Sequence, residues 1–424
     1  MTGQQELVAE PAAPTTPATP ATPAAGPART RRRRVRRALR SRAVRVIAAV
    51  LLVAVVWTGW SIGQALTAPG TDAVTSRLAE WARDHHLGWA VTELEKIQYW
   101  LNQPKTGGTP ASGIPDVADP AAAAGRGPAS ATSRVAPRGP APLPAHLPAP
   151  AAVRVLAGAP LPSEGTWQTV GTVAGVPAVR VAYLRPDASH TSYLVGALWL
   201  DPKLLITRLH PGTEDPGGSW PEPPLIPPQW RASAMAGINS GFRLGASGGG
   251  YYAHGRLVSP LRAGAASVVV HTDGTATVGA WGRDVGMGSD VVAVRQNLDL
   301  LVDAGRLNPS CASDSATEWG ATLGNKAYVA RSGLGVTQTG ALVYVGGPAL
   351  SVCTLGQVML AAGVTRGMEL DINPSWIRGA YYAHRGATVT PHRLIDFSDV
   401  EQPPPPDRLF TTSTRDFFAF YARR

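Results

Sequence analysis

The chain is poor in cysteine, in charge and in recognisable nucleophile or metal signatures. Its two cysteines, Cys311 and Cys353, are too few for a disulfide-dense scaffold or a four-thiolate zinc site. Only 16% of its 424 residues are charged, and the net charge of +10 is local. Residues 29–45 hold ten Arg and no acid, so 10 − 10 leaves the remainder formally neutral. Without a basic face on the folded part, a nucleic-acid enzyme is excluded and no nucleic-acid partner is expected. Also missing are G-x-S-x-G, H-E-x-x-H, S-x-x-K with K-T-G, and the G-K-[ST] phosphate loop. No metal ligand set is read, and any cofactor stays unknown.

What is present divides the chain by composition. Residues 1–28 are mostly Ala, Pro and Thr, too poor in large apolar side chains to offset the entropy of ordering. With the Arg run they form an expected disordered basic tail, 1–45. Val46–Leu66 is 21 residues without a charge, about 31 Å of helix, which matches a hydrocarbon core. Trp57 and Trp60 lie toward its far end, where interfacial indoles belong. A cleaved signal peptide is the rival, but some 45 residues before the apolar core fit that poorly. A single-pass transmembrane helix over 46–66 is therefore expected. Arg before it and none just after place the N-terminus in the cytoplasm and the C-terminal domain outside.

Residues 67–102 carry apolar side chains at helical spacing, including Leu78, Trp81, Leu87, Trp89, Leu94, Ile97, Trp100 and Leu101. That spacing predicts an amphipathic stalk helix, closed by Asn102-Gln103-Pro104; a membrane-skirting, a self-associating and a merely solvated helix all fit it. Pro and Ala then make up 23 of the 48 residues from Gln103 to Pro150, which predicts an extended, coreless linker.

From about residue 151 to 424, short apolar runs alternate with Gly, Pro and Asp-Gly. Strands are predicted at Ala178–Leu184, Tyr193–Leu200, Ala265–His271, Thr275–Trp281, Lys326–Ala330 and Ala341–Val345. Asp273-Gly274 marks a hairpin. Val291–Leu301 and Thr354–Ala362 read as helices, each followed by Gly. The fold class is α+β: one mixed or antiparallel-sheet domain with few helices. Outside the cell, Cys311 and Cys353 form either one disulfide or two buried thiols. Tyr251-Tyr252-Ala253-His254 recurs at Tyr381-Tyr382-Ala383-His384, by chance or as two walls of one sugar pocket.

Three clusters carry the chemistry: Ile238-Asn239-Ser240-Gly241-Phe242-Arg243, Ala330-Arg331-Ser332-Gly333-Leu334-Gly335, and Glu369-Leu370-Asp371-Ile372-Asn373-Pro374-Ser375-Trp376. In an extended segment Glu369, Asp371 and Asn373 share a face, about 7 Å apart in succession. A glycosidase needs two carboxyl groups about 5–10 Å apart, and a phosphodiester suits an Arg fork. Ion pairing of Glu369 and Asp371 with the two Arg accounts for the same residues structurally.

In these clusters the sequence resembles the phosphodiester glycosidase family, which includes the lysosomal enzyme that uncovers mannose 6-phosphate and bacterial exopolysaccharide-associated proteins. The family's Asn-Gly-Gly-Phe-Phe turn, Arg-Thr-x-x-Gly strand end and Leu-Asp-Gly-Gly-Gly-Ser turn are similar, in order, to Asn239–Arg243, Arg331–Gly335 and Leu370–Ser375. The likeness covers about residues 230–376, and 165–220 resembles a membrane-anchored actinobacterial branch. It implies hydrolysis of a sugar 1-phosphodiester, with Asp371 a catalytic acid, base or nucleophile and Arg331 completing the catalytic set by holding the phosphate; spacing adds Glu369 as a second catalytic carboxyl, and the anchor makes an envelope glycan the expected substrate. Asn239, Arg243, Ser332 and Asn373 would contact substrate. The departures are chemical: Ile372-Asn373-Pro374 replaces glycines, Pro lacks an N–H, and Arg243 replaces an aromatic. They motivate a second reading, a catalytically altered member that binds or organises envelope polysaccharide through Trp such as Trp281, Trp319 and Trp376.

Overall fold

The computed structural model describes residues 28–68, 73–117, 144–313, 318–320, 327–395 and 405–423. Of the expected disordered tail over 1–45, residues 1–27 lie outside the described residues, as does the central linker over 118–143; residues 28–45 are helical instead, because Arg is a good helix former and the run continues into the apolar segment. The chain divides into two units, Met1–Gln64 and Ala65–Arg424.

Helix α1 (Ala28–Thr67) contains the apolar run. Its portion Ser41–Thr67 is long and apolar enough to cross a membrane. The expected single stalk helix is two: α2 (Val74–Asp84) and α3 (Gly88–Leu101). His86 between them takes a left-handed φ of 63°, which breaks the run. They pack on one another through Arg83 and Glu95. The linker also differs from expectation where it is described. Ile114 and Val117 pack against the core, and the Gln168 side chain bonds Val117 N and Pro115 O.

Eighteen strands follow among the described residues, beginning with β1 (Gln168–Val173), β2 (Val176–Leu184), β3 (Val195–Leu200) and β4 (Leu205–His210). After the single turn α4 (Pro228–Arg231) come β5 (Ala234–Asn239), the single turn α5 (Leu244–Ser247), β6 (Tyr251–Ala253) and β7 (Arg256–Ser259). Next are β8 (Ala266–His271), β9 (Ala276–Ala280), β10 (Val291–Asn297), β11 (Leu300–Asp303) and β12 (Arg306–Leu307). Strands β13 (Val329–Thr337) and β14 (Leu342–Leu350) precede α6 (Val352–Ala361). The chain closes with β15 (Val364–Asp371), β16 (Gly379–Arg385), β17 (Thr388–Arg393) and β18 (Phe417–Ala422).

They form three antiparallel sheets. The largest runs β1-β2-β3-β14-β13-β15-β11-β12; the others run β7-β6-β10-β8-β9 and β17-β16-β5-β18-β4. The α+β class stands, with six helices among the described residues. Both faces of the large sheet are buried. In β3, Leu198 and Leu200 enter one core while Ala197 and Trp199 enter the other, where α6 packs. Period-two exposure is erased when both faces are covered, so such strands read as plain apolar runs.

That erasure explains the corrected element. Val291–Leu301 is not a helix but β10, a turn and the start of β11. Ala293 and Val294 are buried in different clusters, and β-branched Val suits the pleat. The Asp273-Gly274 hairpin joins β8 to β9, with Gly274 at φ +80°. Cys311 and Cys353 form a disulfide with Cα atoms 5.1 Å apart. The two Tyr-Tyr-Ala-His copies lie in different sheets; Tyr251 and Tyr381 are both buried in the same core.

Candidate functional site

The three clusters do converge. Strand β5 ends at Asn239, β15 ends at Asp371, and β18 begins at Phe417, which pairs with Asn239 across the ladder. Ser332 of β13 stands opposite Asp371. Polar turns that leave apolar strands together at one end of the packed sheets make a natural place for a pocket. Here that pocket is small, lined by Asn239, Gly241, Asp371, Trp376, Arg378 and Arg415.

Asp371 stands in it almost fully buried. Its Oδ1 accepts from Ile372 N at 2.8 Å and Asn373 N at 2.9 Å. Burial pushes its carboxyl up to about 6, against the pull of Arg415 and those two N–H groups; Glu80 adds to the rise. The turn that follows is built by side chains rather than glycines. Asn373 Oδ1 accepts from Ser375 N at 2.9 Å, and Asn373 O accepts from Trp376 N and Ile377 N. Asn373 therefore lies beyond the strand, off the shared face expected for Glu369, Asp371 and Asn373.

Glu369, two residues earlier, faces no opening. Its Oε1 accepts from Arg331 Nη1 at 2.6 Å, and both side chains are sealed. Arg331 also donates to Leu350 O (2.9 Å), Trp319 O (3.5 Å) and Ala327 O (3.4 Å). Burial raises Glu369 to about 7; Arg331 opposes the rise and Asp371 adds to it. Its Oε2 has no hydrogen-bond partner among the described residues.

Asn239 ties strands together. Its Oδ1 accepts from Tyr344 OH (2.9 Å) and Arg378 N (3.1 Å), and its Nδ2 donates to Ser332 Oγ (3.1 Å). Gly241 lies against Asn297 and Arg295, where a Cβ would come within 3.3 Å of Asn297. Behind the turn, Arg295 Nε donates to Asp416 at 2.7 Å, a second sealed pair. Arg243 leaves the pocket and forks onto Asp84 of α2, at 2.7 and 3.2 Å.

Several site residues escape the sequence reading. Arg378 and Arg415 both stack on Trp376, their guanidinium carbons 4.6 and 4.5 Å from ring centroids. Arg415 also pairs with Glu80 of α2, and Ser76 shares a hydroxyl hydrogen bond of 2.6 Å with Ser375. Helix α2 is thus a wall of the site. The available signals were Arg415-Asp416 leading an aromatic strand and Glu80 on the polar face of the expected stalk helix.

A carboxyl held near neutrality beside two guanidinium groups and an indole can exchange a proton next to an anionic, ring-bearing ligand. Among the described residues, no three His, Cys, Asp or Glu side chains gather as a metal site.

No family model matches the chain, and no curated protein matches it. Among solved structures it is similar to the catalytic domain of zebrafish N-acetylglucosamine-1-phosphodiester alpha-N-acetylglucosaminidase. That similarity has 12% identity and a TM-score of 0.39, over 61% of this chain and 88% of that one. A hypothetical protein from Synechocystis is similar at 12% identity and TM-score 0.36, over 63% of this chain and 64% of that one. These likenesses concern the fold alone.

Proposed function

We propose that this chain is a membrane-anchored, extracytoplasmic hydrolase of a sugar 1-phosphodiester in envelope glycan metabolism. The observation that carries the reading is Asp371, a buried carboxyl raised to about 6 in a pocket shared with Arg415, Arg378 and Trp376. Above that value Asp371 is ionised and takes a proton from water. The water oxygen bonds to the sugar C1 as the C1–O bond to phosphate breaks. The bonding pair leaves on the phosphate oxygen, whose charge Arg415 and Arg378 stabilise. Trp376, buried against Arg378 and Arg415, holds the two guanidinium groups in place, and the anionic substrate displaces Glu80 from Arg415. In this reading Arg331 and Glu369 hold β13 to β15, while Asn239 and Ser332 shape the wall.

The test is release of free sugar from a panel of sugar 1-phosphodiesters by the purified full chain, with Asp371→Asn alongside. Release by wild type alone supports the assignment; equal release by both removes Asp371 from the mechanism.

A second reading, binding of envelope polysaccharide without turnover, is favoured by one feature. The turn over 371–377 is closed by its own hydrogen bonds, leaving few backbone donors for a phosphate. Glycan affinity with no release from any panel member would select it.

A further inference from the structure

We infer that α3 is a lipid-facing helix that lies in the membrane interface and docks the domain onto the bilayer that α1 crosses. The inference rests on the anchor reading above but concerns a different surface. At 100° per residue Trp89, Leu94, Ile97, Trp100 and Leu101 fall within an arc of about 140° along about 21 Å of helix. Trp89, Trp100 and Leu101 are 71%, 76% and 77% exposed, and Leu94 and Ile97 are also bare. The opposite face is occupied: Val91 is buried, Glu95 pairs with Arg83, and Tyr99 OH accepts from Tyr328 N at 3.2 Å. Single exposed apolar side chains are ordinary on a protein surface, but five aligned on one helix form a docking stripe.

What covers the stripe follows from where the hairpin is tied. Arg77 of α2 donates from Nη1 to Leu66 O at 2.9 Å and Ala68 O at 2.5 Å. Leu66 lies in the last turn of α1 and Ala68 follows its end, so α2 starts where the chain leaves the bilayer. Indoles near both ends of the α3 stripe suit the headgroup boundary, where a ring is half in hydrocarbon and its N–H meets water. Helix α3 has no basic face; its one charge inside the apolar arc, Glu93, pairs with Lys96 at the arc's edge at 2.8 Å. Its binding is therefore driven by apolar burial and needs no anionic lipid. The same docking sets which side of the domain faces the membrane: the α2 side, where Glu80 meets Arg415.

The test uses the full chain reconstituted in phosphatidylcholine vesicles. Both native cysteines are bonded, so an introduced thiol takes a polarity-sensitive fluorophore alone. Labels go at Ile97→Cys on the stripe, Leu257→Cys on an exposed site of the folded domain, and Ala54→Cys within α1. Leu101→Cys repeats the stripe reading should Ile97→Cys perturb folding. Nitroxide-bearing lipids are expected to quench position 97 by about twofold or more over position 257, without dependence on salt. Quenching at 54 but not at 97 overturns the inference and leaves the anchor standing. A blue shift at 97 that lipid nitroxides do not quench assigns the stripe to a second copy of the chain and overturns it too. No quenching at 54 overturns the anchor and this inference together.

Discussion

Strand β15 carries two acids two residues apart, and the fold gives them opposite lives. Glu369 is locked onto Arg331, itself bonded to three main-chain carbonyls, with no approach from solvent. Asp371 ends the strand in a pocket, bonded only through the N–H groups of its own turn and facing Arg415 of a distant segment. Both are raised by burial. Perturbation by desolvation alone therefore does not identify a reactive group; access does.

The comparison can be broken in four places. The largest effect is expected for Asp371→Asn, which should lower turnover about 100-fold or more while the circular dichroism spectrum is retained. A smaller loss would assign the proton transfer elsewhere. Next, Glu369→Gln or Arg331→Met leaves a sealed partner uncompensated and should cost about 3–5 kcal/mol in denaturant unfolding. A cost near zero would mean that the pair is not the structural half of the comparison.

Stability against pH separates the two acids further. The folded chain holds Asp371 protonated up to about 6, whereas the unfolded chain releases that proton near the ordinary Asp value. Its favourable contribution is thus present below that ordinary value and lost as pH rises through about 6. Asp371→Asn, neutral throughout, should therefore be more stable than wild type by about 3 kcal/mol at about pH 8, with little of that gain at about pH 4. A melting comparison at the two values checks the sign. The smallest effect concerns Glu80, whose charge helps raise Asp371 and engages Arg415. Glu80→Gln should move the acidic limb of the rate profile to lower pH by less than about one unit. An unmoved limb would detach α2 from the site.

Much of this layout was legible beforehand, for local reasons. The hairpin at Asp273-Gly274, the helix near 352–361 and most strands follow from turn chemistry and apolar spacing. Val291–Leu301 was misread because a strand buried on both faces loses its alternation, and Val291, Val294 and Leu298 happen to fit helical spacing too. Asp371, Asn239 and Ser332 were found at one end of the sheets because their motifs sit where apolar strands stop. Trp376 is legible only as an aromatic surface, and Arg378 and Arg415 not at all, since isolated Arg and Trp residues carry no spacing signal.

By itself the sequence determined an apolar helix long enough to cross a membrane, an antiparallel α+β domain and the polar turns that end its strands. Each depends on neighbours a few residues away, through side-chain period, glycine at positive φ, or an uninterrupted apolar run. Only the tertiary structure decided that Glu369 is sealed and Asp371 is not, that Arg415 reaches Asp371's pocket, and that α2 lays Glu80 across it. Those outcomes join residues up to 335 positions apart. They depend on which strands pair and which faces are covered, and no local pattern encodes that.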